Sequence, residues 1–279
     1  MSAVHRRPVK KLLLGGLDVD MCIALEQLAN VMAKAYQNPI RLKIDMVRYN
    51  ESLDKFESGH NEKCEASLLQ KFPPEHNILL TDPAIILDSS GRIIVWYLPG
   101  AISSMIMHDM HQATHSMTDL LKRSITTGKT TLWRTNRSNF HPSIDGQVTP
   151  GCINISPAWF QQGQEKHGFP NLDPDGFSPE VSAALKGIAG HKITGLLQRS
   201  GVLVSAALWI MHPDLYWAGM ETQVRLGEWA SKYEMNDMYD HLKCWTSVFN
   251  VLAVICNRLT PPHRDLKCWP EAFDLMTTA

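Results

Sequence analysis

Residues 248–256, Val-Phe-Asn-Val-Leu-Ala-Val-Ile-Cys, constrain the fold more than any other stretch of this chain. A nearly continuous apolar run rich in Val and Ile is consistent with a buried strand. The residues that follow, Asn257-Arg258-Leu259-Thr260-Pro261-Pro262-His263-Arg264-Asp265, cannot carry on as a helix. Each proline fixes its own φ and disfavours helix in the residue before it. The strand therefore hands over to a stiff, extended arm. His263 and Asp265 are two residues apart on that arm, so both side chains leave the same face. An imidazole and a carboxylate side by side supply two legs of a facial site for a divalent metal.

The pattern is weak by itself, because composition alone predicts roughly 0.7 His-x-Asp matches in a chain like this. The second match, His212-Pro213-Asp214, has a simpler explanation. Pro213 suits a first helical position, and Asp214 is then a first-turn acid that complements the helix dipole. Two other motifs fail on a required residue. His263-Arg264-Asp265-Leu266-Lys267 imitates a kinase catalytic loop, but Pro270 stands where the magnesium-binding asparagine is required. Gly128-Lys129-Thr130 imitates a phosphate loop, but Arg123 occupies the earlier glycine position.

With 279 residues the chain can bury a sizeable core, and 44% hydrophobic with 20% charged residues is ordinary for a globular protein. A formal net charge of -1 supplies no overall basic field, so any nucleic-acid contact must come from a local patch. One candidate combines Lys122, Arg123, Lys129, Arg134 and Arg137 with Trp133 and Phe140. Lys and Arg there would contact phosphates and an aromatic could stack on a base. The plainer reading is a solvated loop with one buried tryptophan. His108, His111 and His115 share helical spacing, which more often marks a polar face than a metal site.

Six cysteines without a C-x-x-C pair favour reduced thiols in an intracellular setting. The apolar run at 201–211 is too short to span a bilayer, and no membrane partner is expected. The basic cluster His5-Arg6-Arg7-Pro8-Val9-Lys10-Lys11 admits a solvated terminus or a nuclear address.

Along the chain, Met21, Leu25, Leu28 and Met32 predict a helix over about 21–36, within an N-terminal helical region taken as 1–75. Residues 84–88 and 92–97 read as a hairpin closed by Ser89-Ser90-Gly91. The spacing predicts a helix over 102–125, a short strand at 151–155, and a helix from Ser178-Pro179-Glu180 to about Met211. A second helix starts at Pro213 with Trp217, Met220 and Val224 on its buried side, and residues 273–277 begin another strand. The class is α+β.

Residues 257–265, continued by Phe273-Asp274-Leu275-Met276, resemble the iron-binding segment of the fungal branch of the TET/JBP family. These are Fe(II)- and 2-oxoglutarate-dependent dioxygenases that oxidise the methyl group of modified or thymine bases in nucleic acid, and in fungi they commonly travel with transposons. Asp88-Ser89-Ser90-Gly91-Arg92-Ile93-Ile94-Val95-Trp96-Tyr97-Leu98-Pro99-Gly100 and Ser156-Pro157-Ala158-Trp159-Phe160-Gln161-Gln162-Gly163-Gln164 are similar to upstream blocks of that family, in the same order. The resemblance covers roughly residues 78–279.

It implies a double-stranded β-helix (jelly-roll) core with supporting helices, a partial dioxygenase domain over 76–279, and Fe(II) and 2-oxoglutarate as cofactors. His263 and Asp265 would be iron ligands, with Arg264 pointing away. Asn257 and Arg258 could face base or co-substrate, although for Arg258 a structural salt bridge is the favoured role. Arg134 and Arg137 would contact nucleic acid. The implied substrate is 5-methylcytosine or thymine, in DNA before RNA, and the implied location is nuclear. The family also implies a distal histidine, and an arginine that grips 2-oxoglutarate through a bidentate pair. After Asp265 the sequence contains neither His nor Arg. The expectation is therefore a C-terminally incomplete domain with barrel strands missing. It would be either a dioxygenase or a catalytically inactive, truncated remnant that binds nucleic acid or nothing.

Overall fold

The computed structural model describes residues 17–53, 62–73, 79–128, 132–142, 148–159, 179–261 and 272–278. It is mixed α and β, and it divides into two compact units, Met1–Phe56 with Leu69–Ser104, and Glu57–Leu68 with Met105–Ala279.

In the first unit, helix α1 (Val19–Gln37) starts where the Asp18 carboxylate accepts the Met21 N–H at 2.7 Å. Met21, Ala24, Leu28, Met32 and Ala35 form its buried face, so the expected stripe holds, with Leu25 only half-buried. Strand β1 (Pro39–Arg41) runs parallel to β2 (Ala84–Leu87), and β2 pairs antiparallel with β3 (Ile93–Tyr97). The expected hairpin is present, and Gly91 takes the left-handed φ of 86° that its turn requires. Ala35, Ile85 and Leu87 form one core cluster of this unit, with Ile93, Trp96 and Leu98 packed against it. A short helix α2 (Met46–Leu53) follows β1, and α3 (Glu62–Lys71), most of which is assigned to the second unit, precedes β2 in the chain.

The second unit corrects several expectations. The helix predicted over 102–125 is two, α4 (Ser104–Ser116) and α5 (Thr118–Ser124), broken at Met117. Around the break, Thr114, Ser116 and Thr118 hydroxyls donate to the carbonyls of Met110, Gln112 and His115. Such local bonds compete with the helical ladder, while Met117 itself is buried in the core. Strand β4 (Gly151–Ile155) forms as expected. The helix expected to start at Ser178-Pro179-Glu180 does not, because Glu180 exchanges both backbone hydrogen bonds with Trp159 at 3.0 Å each. Helix begins only after a 3-10 turn (Ala183–Leu185), as α6 (Ile188–Leu196) and then α7 (Gln198–Met211).

Helix α8 (Pro213–Lys232) has proline in its first turn as expected, with the His212 ring accepting the Leu215 N–H. Its buried side differs from the one predicted, of which only Met220 is half-buried. Trp217 and Val224 are 60% and 54% exposed, whereas Leu226, Trp229 and Ala230 meet the core. Both faces carry apolar residues, and the packing partner chose between them. Helix α9 (Asn236–Cys244) leads to β5 (Leu252–Cys256), which is shorter than the predicted strand and alternates in burial. With β4 as its partner in a two-stranded sheet, one face packs inward and Ala253 and Ile255 stay exposed. Residues 272–278 form no strand, although 273 and 275 are half-buried between exposed neighbours.

The core of this unit gathers Met117, Leu121, Ile155, Leu185, Ile193, Met238 and Trp245. Among the described residues no single helix is long and apolar enough to cross a membrane. Only α6 and α7 taken together have the composition, with a bend of 47° between them.

Candidate functional site

Strand β5 runs antiparallel to β4 from Leu252 opposite Ile155 to Cys256 opposite Gly151. Where the ladder ends, Asn257 turns the chain with a φ of 51°. Asparagine tolerates that left-handed conformation better than most residues. Its side-chain amide donates to the Val148 carbonyl at 2.9 Å, which anchors the turn from a second segment. The arm beyond it is pinned by backbone bonds, His141 N–H to the Asn257 carbonyl at 2.8 Å and Leu259 N–H to the Asn139 carbonyl at 2.7 Å. Phe140 and Arg258 sit opposite each other in this bridge. The exit of β5 is thus tied to residues 139–141 before Pro261 is reached.

Arg258 is the centre of a polar cluster on that exit. Its guanidinium donates to the Thr260 hydroxyl (3.2 Å), the Arg134 carbonyl (3.4 Å) and the Cys152 sulfur (3.2 Å). It also lies 5.0 Å from the centre of the Trp133 ring, and the Arg134 guanidinium lies 4.7 Å from the same ring. Each such contact is worth about 0.5–1 kcal/mol where water still reaches it. Among the described residues Arg258 makes no ion pair of the kind favoured from sequence, and hydrogen bonds and the indole hold it instead. Burial pushes the Cys152 thiol up, and the charges of Arg258 and Arg134 pull it back down. The thiol therefore acts as a neutral acceptor here. Arg137 is exposed, in a 3-10 turn (Arg137–Asn139) that is capped by the Asn136 side chain.

The sequence candidates thus separate into two groups. Asn257, Arg258 and Arg134 come together, and Arg137 lies three residues along the chain from Arg134. His263 and Asp265 lie outside the described residues. So do Arg264, Lys129 and most of the block that starts at Ser156. The indole as shared platform, with Cys152 beneath Arg258, was missed from sequence. Only the β4–β5 register puts Cys152 near Arg258, and no spacing in the chain announces it.

Elsewhere in this unit, one cluster of potential metal ligands occurs among the described residues, His191, Asp237 and His241. His191 comes from α6 and the other two from one face of α9, at spacing i, i+4. Their side-chain ligand atoms lie within 4.8 Å of one another. His191 Nε2 is 3.5 Å, and His241 Nε2 3.9 Å, from the same Asp237 oxygen. The two imidazoles are stacked with centres 4.2 Å apart. Burial holds His241 below its usual pKa and His191 adds to this, while Asp237, the Leu185 carbonyl and Asp240 act the other way. His108, His111 and His115 form no such group.

Compared with protein-family models and with curated proteins, the chain matches none.

Proposed function

We propose that this chain is a TET/JBP-type dioxygenase domain, dependent on Fe(II) and 2-oxoglutarate. It acts on the methyl group of 5-methylcytosine or thymine in nucleic acid, DNA in the first instance. The core of such a domain is a double-stranded β-helix, to which β4 and β5 would contribute. The observation that carries the reading is the exit of β5. A pinned antiparallel strand runs out through residues 257–261 beside a cluster of cations on an indole, and the His-x-Asp pair follows in the sequence.

The donor set fits Fe(II) as far as it goes, since a neutral imidazole and a carboxylate are two of the three protein ligands of a facial site. His263 and Asp265 would hold the metal, and when bound it would supply the oxygen chemistry for hydroxylating a methyl group. The chain's own residues do the rest. Asn257 fixes the direction in which the arm leaves the sheet. Arg134 and Arg258 hold positive charge at the exit, where a phosphate or the carboxylate of a co-substrate would be met. Trp133 already carries two guanidinium groups against its ring, so this cluster offers cations to a ligand before it offers an aromatic face.

The second reading, a domain of the same type that binds nucleic acid without turnover, is favoured by the same cluster, which stands independently of the iron pair. One experiment separates the two. The full chain is incubated with Fe(II), 2-oxoglutarate and methylated DNA, and nucleosides are analysed by mass spectrometry. Hydroxymethylated base in the parent, reduced at least about 100-fold in His263→Ala and Asp265→Ala, is the expected result. DNA binding without any oxidised base would overturn the enzyme reading in favour of the second.

A further inference from the structure

His241 is fully buried, and its two ring nitrogens are treated very differently. Nδ1 lies 2.9 Å from the Thr194 hydroxyl, whose own position is set by the Gly190 carbonyl at 3.1 Å. A hydroxyl has one proton to give. With that proton on the Gly190 carbonyl, the Thr194 oxygen can only accept, so Nδ1 carries the hydrogen of the neutral ring. The lone pair then sits on Nε2, which has no hydrogen-bond partner although it is buried. A buried polar atom left in this state needs an explanation.

Nε2 lies 3.9 Å from the Asp237 carboxylate, and one ligand atom each of His191, Asp237 and His241 falls within 4.8 Å of the others. We propose that His191, Asp237 and His241 form a binding site for a divalent transition-metal cation of the zinc class, which clips α6 to α9. Two imidazole nitrogens and one carboxylate oxygen are a ligand set zinc accepts, at about 2.0–2.2 Å each. Donors at that distance around a tetrahedral ion stand roughly 3.3–3.5 Å apart. Asp237 and His191 are already at 3.5 Å, His241 must close from 3.9 Å, and the half-exposed His191 ring, now stacked parallel to His241, must turn so that its nitrogen points at the ion. Thr194 supplies the outer contact that metal-bound histidines usually have, an acceptor for the other ring N–H. His191 and Asp237 are partly exposed, which leaves an entry path and a fourth position for water.

The protein is stripped of metal with chelator and titrated with Zn²⁺, and in parallel with Co²⁺, in the His263→Ala/Asp265→Ala background. That background removes the pair assigned to iron, so the outcome is independent of the proposed enzyme function. One equivalent should bind, and the melting temperature should rise by about 5–10 °C at a free-metal concentration of roughly 100 times Kd. His191→Ala and Asp237→Asn change half-exposed side chains and leave the buried ring in place. Each should weaken binding by at least about 100-fold and abolish the rise in melting temperature. Absence of binding in the background protein overturns the site, as does affinity retained within about threefold in both variants.

Discussion

At Asp88 one carboxylate oxygen serves three donors, the Ser90 N–H (2.9 Å), the Ser90 hydroxyl (2.7 Å) and the Arg92 N–H (2.8 Å). The Ser90 hydroxyl is the largest cause holding this carboxyl below its usual value of 3.8, burial opposes it, and the backbone N–H groups assist. A carboxylate with a lowered native pKa contributes stability that is complete above the unfolded value and is lost as pH falls through the native one. Asp88→Asn should therefore destabilise the protein at pH 7, and the gap to the parent should shrink towards pH 3 in chemical denaturation. An equal gap at both pH values would contradict the role given to the charge. The turn was legible in sequence because the three bonds to the Asp88 oxygen span four positions or fewer, although the Ser89 N–H also reaches the distant Ile44 carbonyl. Trp133, Cys152 and Arg258 were not legible as a group, since they meet only through a sheet register.

Among elements, those that form from local signals matched their sequence reading. The stripe of α1, the Ser-Ser-Gly hairpin, β4 and the proline start of α8 all follow from periodicity, turn chemistry or a cap. Elements whose identity depends on a distant partner did not match. Glu180 became a bridge because Trp159 was there to pair with it, and α8 turned Leu226 inward because the core lay on that side. The stretch at 248–251 had strand-like residues, but Val248 N–H is taken by the Ser205 hydroxyl and the Phe249 carbonyl accepts the Trp245 indole N–H. Packing between α5 and β4 gives a direct test. A Cβ on Gly151 would fall against the Leu121 carbonyl, backbone that cannot swing aside. Gly151→Ala should cost about 1–3 kcal/mol in denaturant unfolding. A variant as stable as the parent would show that α5 and β4 are less closely packed than described.

For the whole molecule, the near-zero net charge means that any nucleic-acid affinity would have to come from a local patch. If Arg134, Arg137 and Arg258 each meet a phosphate, the slope of log affinity against log salt should be roughly −2 to −3. Arg137→Ala, at an exposed position, should reduce that slope by about 1, read by fluorescence anisotropy across a salt series. An unchanged slope would remove Arg137 from the interface. The α+β class was legible from the order of helical and strand-like patterns. The proposed iron pair, His263 and Asp265, rests on a motif with a family resemblance, and both residues lie outside the described residues. The central claim is that the arm beyond β5 delivers an iron site that consumes 2-oxoglutarate, and release of labelled CO₂ from 1-labelled 2-oxoglutarate by the full chain measures it most directly. The account predicts release that requires both Fe(II) and methylated DNA and that disappears in His263→Ala. Release that is absent from the parent, or that persists undiminished in His263→Ala, would contradict it.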